Sequence, residues 1–309
     1  MNLRAQLGTT DDRILVRLAL LLAGILILSV LALATYIYFD STRSKDTLLD
    51  RQLRQVEDQV RSQPYNAELR LTAANLYLNR GDYDKAIGQA SEVLKVNDQN
   101  GDVLLVLGLA YRQKGNLVAA ARYFEQIIKL NENNEMARVS RKLALVNYQL
   151  GDIYLASGDS EGAVVALKRA LESEPTDADV HRLLGQAYMA AGKLDEAVQV
   201  LRAALRFVPN YAEIYQSLKE IWERQGDQDR AAFATAMLSY TSGDLASAER
   251  GLTQAVQAIP DMVEARQGLG MVYEKLGRRE QALDSYRQAL TLDGNSYIAK
   301  QALGRLGGE

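Results

Sequence analysis

The chain has 309 residues, of which 48% are hydrophobic and 24% charged, and its formal net charge is −3. It has no cysteine, which excludes disulfides, Cys-ligated zinc, iron–sulfur clusters and a thiol nucleophile. Its single histidine leaves little room for histidine-based metal binding or catalysis. A nucleic-acid-binding protein usually carries a basic patch, which a net charge near zero does not suggest. We therefore expect no metal, no cofactor and no nucleic acid, in a chain long enough for about two domains.

The first predicted element is a transmembrane helix. Residues 18–39 are uncharged and almost wholly apolar. A helix of that length spans about 33 Å, enough for a hydrocarbon core of about 30 Å. Tyr36 and Tyr38 lie at its end, as aromatic residues do at a membrane surface. A cleavable signal peptide is the alternative, since Ala32–Ala34 has the small-x-small form of a cleavage site. The run is longer than a normal signal core, so we predict an uncleaved anchor in the bilayer, preceded by a short tail at 1–17.

The orientation of this helix is less clearly marked. Positively charged residues are almost equally numerous on its two flanks, so the positive-inside rule does not decide. An amino-terminal anchor most often keeps its short tail in the cytoplasm. We therefore expect a single-pass protein of a bacterial cytoplasmic membrane whose remaining residues are extracytoplasmic, with the cytoplasmic placement left open.

An internal repeat dominates the rest of the sequence. Seven times a glycine is followed five residues later by an alanine, and four of the six spacings between these glycines are 34 residues. The two exceptions are spacings of 43 and 17 residues. A fixed period of this length indicates a stack of similar helical units. The glycines are Gly81, Gly115, Gly158, Gly192, Gly226, Gly243 and Gly277.

These units resemble the tetratricopeptide repeat (TPR). That repeat has a small residue at position 8, an aromatic at 11, glycine at 15, alanine at 20 and often proline at 32. Position 11 here is Tyr77, Tyr111, Tyr154, Tyr188, Trp222 and Tyr273, with Ser239 as the exception. Every proline of the chain lies at a junction between units, at Pro64, Pro175, Pro209 and Pro260.

The resemblance implies an all-α fold, in which a TPR α-solenoid of about six to seven repeats follows the transmembrane helix. The solenoid is expected over residues 67–296, after a juxtamembrane linker and capping helix at 40–66. Leu49, Leu53, Val56 and Val60 form an apolar stripe on that helix, and a short coiled coil is the alternative use for it. A C-terminal capping helix and tail are expected at 297–309.

Two irregularities interrupt the period. Nine extra residues at 135–143 are predicted to extend the first helix of repeat three by about two and a half turns. The spacing of 17 between Gly226 and Gly243 is half a repeat, so residues 229–242 fit both the second helix of repeat five and the first helix of repeat six. We predict a break or a change of superhelical direction at this half-repeat.

The resemblance also implies a binding surface. Members of the family usually bind peptides in a concave groove lined by positions 2, 5, 6, 9, 12 and 13 of the first helices. A group that grips a terminal carboxylate needs a lysine and two asparagines in this groove; here Leu71 and Val106 replace two of them and only Asn75 remains, so that activity is not expected. Some of these side chains are alternatively placed to pack against the following helix. The predicted groove residues are Leu71, Asn75, Leu78, Leu105, Val106, Leu109, Arg112, Tyr148, Asp152, Arg182, Gln186 and Met189.

No pattern of catalytic residues is recognisable. The sequence has no phosphate-binding lysine loop, no GxSxG and no HExxH. His181 falls at position 4 of repeat four, where a packing role is expected. We predict a non-enzymatic, membrane-anchored scaffold that binds a protein or peptide segment and assists the folding or assembly of envelope or membrane-complex proteins. The alternatives are a stoichiometric subunit of a membrane complex and a regulatory adaptor on the cytoplasmic side, and the oligomeric state stays open.

Overall fold

The computed structural model describes residues 20–37 and 47–307. The predicted tail at 1–17, both ends of the predicted membrane span, the linker at 38–46 and the last two residues lie outside the described residues. The chain forms two compact units, Met1–Asp82 and Tyr83–Glu309. All regular structure in the described residues is helical, so the all-α fold predicted from the sequence is confirmed.

The first unit begins with α1, Leu20–Ile37, an apolar helix with a mean hydropathy of 2.6. Its large side chains are exposed, and the hydroxyls of Ser29 and Thr35 donate to carbonyl oxygens one turn earlier, of Leu26 and Leu31. Its polar groups are therefore satisfied within the helix, as a lipid environment requires. The helix is long and apolar enough to cross a membrane, although a signal sequence near an N-terminus would meet the same criteria.

The other helices of this unit are α2, Leu48–Ser62, and α3, Ala67–Arg80. Thr47 and Asp50 form a reciprocal capping box that starts α2. Leu53 is 1% exposed, and the carboxylate of Glu57 accepts a hydrogen bond from the Tyr77 hydroxyl of α3. The helix predicted ahead of the repeats is thus present, and it packs against the first helix of repeat one.

The second unit is a succession of antiparallel helix pairs in which each helix packs mainly on its neighbours in the chain. The glycines at position 15 explain why the pairs turn where they do. All seven have φ between 71° and 89°, a left-handed conformation that other residues adopt at an energetic cost. The helices are α4 Tyr83–Leu94, α5 Gly101–Gln113, α6 Leu117–Leu130, α7 Arg141–Ala156, α8 Ser160–Ser173, α9 Ala178–Ala190, α10 Leu194–Leu205, α11 Ala212–Gln225, α12 Gln228–Ser242, α13 Leu245–Ala258, α14 Val263–Lys275, α15 Arg279–Leu292 and α16 Tyr297–Leu306.

Small residues at position 8 allow the two helices of a pair to approach closely. A Cβ added to Gly151 of α7 would clash with the Leu167 side chain of α8, and one added to Gly185 of α9 would clash with Leu201 of α10. Since these leucines are fully buried, the glycines are required by packing.

The prolines at the junctions have a recurrent partner. In three repeats the side chain at position 4 lies within hydrogen-bond distance of the carbonyl oxygen of the proline six residues earlier. This contact explains His181, whose predicted packing role is consistent with its place on a junction carbonyl. The pairs are Arg70 Nε with Pro64 at 2.6 Å, His181 Nε2 with Pro175 at 3.0 Å, and the Tyr215 hydroxyl with Pro209 at 2.8 Å.

Only the last three of the nine extra residues extend α7, which has 16 residues against 13 in α5 and α9, so the predicted extension of about two and a half turns is wrong. Glu135–Val139 forms a separate 3-10 helix, and Ser140 adopts an extended conformation between the two helices. The Ser140 hydroxyl accepts from the backbone N–H of Leu143, which caps α7 at its start. The hydroxyl of Ser173 on α8 donates to the carbonyl of Arg138, so the inserted segment is bound to the following helix.

The half-repeat produces one helix with two partners. Phe233 of α12 packs edge-on against the rings of Tyr215 and Trp222 in α11, at centroid distances of 6.1 and 6.3 Å. On the other side Ala236 lies against Gly251 of α13, where an added Cβ would come within 2.7 Å. Helix α12 therefore serves as the second helix of one pair and the first helix of the next, as predicted.

The hydrophobic core is continuous across this point. One cluster of buried side chains extends from Ala178 in α9 to Val272 in α14 and includes both faces of α12. Buried side chains of α12 thus contact both neighbouring helices, while Ala232 and Thr235 are exposed. The half-repeat thus introduces no break in the core.

Candidate functional site

The first helices of repeats two to four bring most of the predicted groove residues onto one surface, which we call the first-helix surface. A salt bridge joins its first two helices, because Nη2 of Arg112 on α5 donates to Oδ2 of Asp152 on α7. Both side chains are partly exposed, at 28% and 38%. Such a pair contributes little to stability, but it fixes the positions of two charged groups on the surface. The members in this unit are Leu105, Leu109, Arg112, Tyr148, Asp152, Arg182, Gln186 and Met189.

A second polar network lies on α9. Nε of Arg182 donates to the hydroxyl of Tyr211 at 3.1 Å, and its Nη1 donates to Oε1 of Gln186 at 3.3 Å. The Tyr211 hydroxyl in turn donates to Asp179. The guanidinium is therefore held in one orientation by groups from α9 and from the start of α11.

Apolar side chains fill the space between these polar groups. Leu105 and Leu109 are half-buried on the core beneath α5, and Met189 is half-buried on the core shared by α9 and α11. Leu145, in the second turn of α7, is 40% exposed. Burial also raises the pKa of the Tyr148 phenol above its usual value, so this side chain is uncharged at neutral pH. The surface therefore offers apolar contact bordered by fixed charges.

Val106 does not belong to this surface, which corrects its predicted role. It is 3% exposed and lies among the buried side chains of α5. Its neighbour Leu105 is partly exposed because consecutive residues point about 100° apart on a helix. Val106 therefore packs within the protein, which was the alternative given for the groove positions.

The three predicted residues of repeat one belong to the first unit. Leu71 and Leu78 are half-buried and Asn75 is exposed. The Asn75 amide donates to the carbonyl oxygen of Leu71 at 3.0 Å. These residues lie on α3, and their use by a partner stays a prediction.

The structure also contains a site that the sequence analysis missed. Two adjoining cavities of about 640 and 600 Å³ lie near the C-terminal end, and we call them together the C-terminal cavity. The ligand positions of repeat seven all line it, so applying the family positions beyond repeat four would have found it. These residues are Glu264, Gln267, Gly268, Met271, Glu274 and Lys275.

Some charged groups of this cavity form ion pairs and others do not. Glu274 accepts two hydrogen bonds from Arg305, at 2.8 and 2.7 Å, and a third from the Tyr286 hydroxyl at 2.6 Å. Burial and this hydrogen bond raise the pKa of Tyr286. Arg206 and Lys275 form no ion pair within the described residues, and the Lys275 ammonium lies 5.0 Å from the Tyr240 ring centre.

The described residues contain no group of three or more His, Cys, Asp or Glu side chains arranged to hold a metal ion. What both surfaces present is apolar side chains with oriented charges, an arrangement suited to binding another polypeptide.

Comparison with known proteins agrees with the repeat architecture. Family models described as tetratricopeptide repeat match residues 71–135, 154–237 and 263–296, which together are more than half of the chain. Among solved structures, MamA 41-end from Desulfovibrio magneticus RS-1 is 22% identical with a TM-score of 0.52, covering 57% of this chain and 94% of that chain. The MamA RS-1 ArsTM double mutant has the same values. No curated protein sequence matches the chain. At this identity the likeness shows the fold alone.

Proposed function

Because the chain belongs to the tetratricopeptide repeat family, whose stacked helices form extended binding surfaces, we propose that it is a membrane-anchored scaffold for a protein partner. The observation that carries this proposal is the first-helix surface of α5, α7 and α9. There the Arg112–Asp152 pair and the Arg182 network hold charged groups in place around half-buried apolar side chains. Groups that are already oriented lose less conformational entropy when a partner binds.

The partner segment follows from the same chemistry. Leu105, Leu109 and Met189 suit the apolar face of an amphipathic helix or an extended hydrophobic segment. Asp152 and Arg182 border this strip with charges of opposite sign, which would fix the orientation of the segment. The three residues of α3, namely Leu71, Asn75 and Leu78, are proposed as further contacts.

The membrane part of the proposal rests on α1. An apolar helix of 18 described residues with exposed side chains is suited to the bilayer and not to the core of a soluble unit. We propose that it anchors the chain in a bacterial cytoplasmic membrane, with the repeats extracytoplasmic. A tether raises the effective concentration of weakly bound membrane partners, which fits a role in the folding or assembly of envelope or membrane-complex proteins.

The test is site-specific photocrosslinking in intact membranes. A photoreactive residue replaces Gln186 on the first-helix surface, and in a matched control it replaces Val118, which is 84% exposed on α6. We expect one defined crosslinked species from position 186 only, and its loss when Met189→Glu is added to a protein whose thermal melting is unchanged. Equal crosslinking from both positions, or a product that survives Met189→Glu, would contradict the proposed surface.

Two further readouts separate the alternatives. Purification in detergent at a fixed stoichiometry with the crosslinked protein would favour a structural subunit. A topology reporter fused after Glu309 that is active only in the cytoplasm would overturn the extracytoplasmic placement and favour a regulatory adaptor.

A further inference from the structure

The half-repeat changes which helices line a binding surface. Before it, the first helices of the pairs are α5, α7, α9 and α11; after it, α12 takes the place of a first helix and α14 packs on it. Gly268 of α14 lies directly against Met237 of α12 and Leu252 of α13, the contact expected between successive repeats. The surface after the half-repeat is therefore lined by even-numbered helices.

This change brings α10 to the same surface. Arg202 of α10 donates from Nε to Oε1 of Glu264 on α14 at 2.7 Å. The residues that follow α10, including Phe207 and Pro209, line the C-terminal cavity together with residues of α14 and α16. A groove thus exists on helices that the regular repeat would place on the other side of the array.

The dimensions suit an extended chain. Arg206, Met271 and Tyr297 line both cavities, which therefore adjoin each other. Each of the two, at about 640 and 600 Å³, lies within the range of sites that bind small ligands, roughly 300–1,000 Å³. Together they provide room for several consecutive residues of a peptide.

The walls are apolar and partly exposed. Phe207 is 47% exposed and Tyr297 is 52% exposed, although both are large hydrophobic side chains. Met271 and Ile298 line the same cavity. Large apolar side chains left exposed around a groove are typical of surfaces that are covered when a partner binds.

The 640 Å³ cavity carries an excess of positive charge, whereas the 600 Å³ cavity is lined by Glu264 and Asp293 as well as by Arg202 and Arg206. Glu274 is the acidic residue that lines the 640 Å³ cavity, and Arg305 binds it with two hydrogen bonds. Arg206 and Lys275 remain without an acidic partner in the part of the chain that the structure describes. In a chain whose net charge is −3, this local excess of positive charge favours a ligand carrying carboxylates.

We propose that the C-terminal cavity binds an extended acidic segment of a partner protein that also carries a large apolar side chain. Its carboxylates contact Arg206 and Lys275, and its apolar side chain packs among Phe207, Met271 and Tyr297. This is a second site, separate from the first-helix surface. The scaffold therefore holds two segments at once, on different sets of helices.

The experiment is a selection of random dodecapeptides displayed on phage against the full-length protein in lipid nanodiscs. The same library is selected against Arg206→Glu/Lys275→Glu. The matched control is Arg287→Glu, which reverses an exposed cation on α15 that lines neither cavity. All three proteins are checked for unchanged melting, so that a loss of binding is not a loss of folding.

We expect the wild type and Arg287→Glu to enrich peptides with two or more carboxylates beside an aromatic or leucine. A selected peptide should bind the double variant at least about tenfold more weakly, the equivalent of one or more charge contacts. Failure to enrich any carboxylate-bearing peptide, or equal binding of the enriched acidic peptides by the double variant, would each overturn the proposal. These outcomes leave the crosslinking at position 186 unaffected, so the two proposals fail independently.

Discussion

Arg202 on α10 and Glu264 on α14 are joined by a hydrogen bond of 2.7 Å although 62 residues separate them in the chain. Helix α10 closes repeat four and α14 opens repeat seven, so a regular array would place two whole repeats between the two side chains. Their contact is a direct consequence of α12 serving two pairs. Because Arg202 is 52% exposed, the bond adds little to stability. It shows, however, that α10 and α14 lie next to each other.

This contact predicts an intramolecular crosslink. The chain has no cysteine, so Arg202→Cys/Glu264→Cys introduces the two thiols of the protein. A short bismaleimide should join them within one molecule and change its mobility on denaturing gels. The single variants and an Arg287→Cys/Glu264→Cys pair, which places one thiol on the exposed side of α15, should not give this product. Absence of the crosslink in the first pair would contradict the arrangement around α12.

A second prediction concerns the core of the shared helix. Phe233 is 2% exposed and contacts Tyr215 and Trp222 on α11. Phe233→Ala removes a large ring from this core and should lower the free energy of unfolding by about 3–5 kcal/mol. Because Trp222 is the single tryptophan of the chain, its fluorescence follows unfolding at this position during a urea titration. Phe207→Ala, which removes a half-exposed ring, should leave the fluorescence midpoint almost unchanged.

The third prediction compares two helical glycines. A Cβ on Gly151 would clash with the buried Leu167, whereas one on Gly88 of α4 would meet nothing within 4 Å. Gly151→Ala should therefore destabilise the protein by about 1–3 kcal/mol. Gly88→Ala should stabilise it by up to about 1 kcal/mol, since alanine loses less entropy in a helix. Shifts of opposite sign in the melting temperature would confirm the distinction, and shifts of the same sign would contradict it.

The repeat period predicted the parts of the fold that local chemistry determines. Gly81 and its equivalents require a left-handed turn, and the closing helix predicted at 297–306 is α16, Tyr297–Leu306. The period failed at 135–143, because the helical pattern continues there although Ser140 caps a new helix. A serine within an apolar-periodic run is compatible with a helix interior or with a cap, and the packing of the segment on α8 decides between them.

The first-helix surface was predictable only in part, because the position of a residue in the repeat does not determine its burial. Position 5 or 9 of a repeat places Leu105 and Gln186 on the expected side, but the position alone does not distinguish an exposed side chain from a buried one such as Val106. The α14 wall of the C-terminal cavity lies at the ligand positions of repeat seven and was therefore predictable, whereas the wall that follows α10 depends on the contact of α10 with α14. That contact arises from packing across several repeats and has no local signature in the sequence.

A fourth prediction concerns alkaline pH. Burial, followed by a hydrogen bond to Glu125, raises the pKa of the Tyr154 phenol to about 12. Because this value exceeds the usual 10.0, the neutral phenol stabilises the fold fully below pH 10, and this contribution is lost as the pH rises through 12. Tyr154→Phe should thus melt below the wild type at neutral pH, with a gap that narrows between pH 10 and 12.

The control for this effect is Glu125→Gln, which keeps an acceptor oxygen but removes the carboxylate charge. The Tyr154 phenol should then ionise at lower pH. Its ionisation is followed by tyrosinate absorbance, after the absorbance of Glu125→Gln/Tyr154→Phe is subtracted from that of Glu125→Gln. If the gap in melting temperature between wild type and Tyr154→Phe stays constant from neutral pH to pH 12, the phenol does not contribute as described.

The last prediction concerns α1. Leu28 and Leu31 lie in the middle third of Leu20–Ile37, and both are exposed. An arginine at the centre of a membrane helix raises its insertion free energy by about 2.5–3.5 kcal/mol, so Leu28→Arg/Leu31→Arg together should release the protein from membranes. Leu28→Val/Leu31→Val, at the same positions, should leave it there after carbonate extraction. The intact mass of the membrane-bound protein then distinguishes an anchor from a signal sequence, because cleavage after Ala34 would remove most of α1. A soluble wild-type protein that begins after Ala34 would contradict the anchor and leave the two binding surfaces to act without a tether.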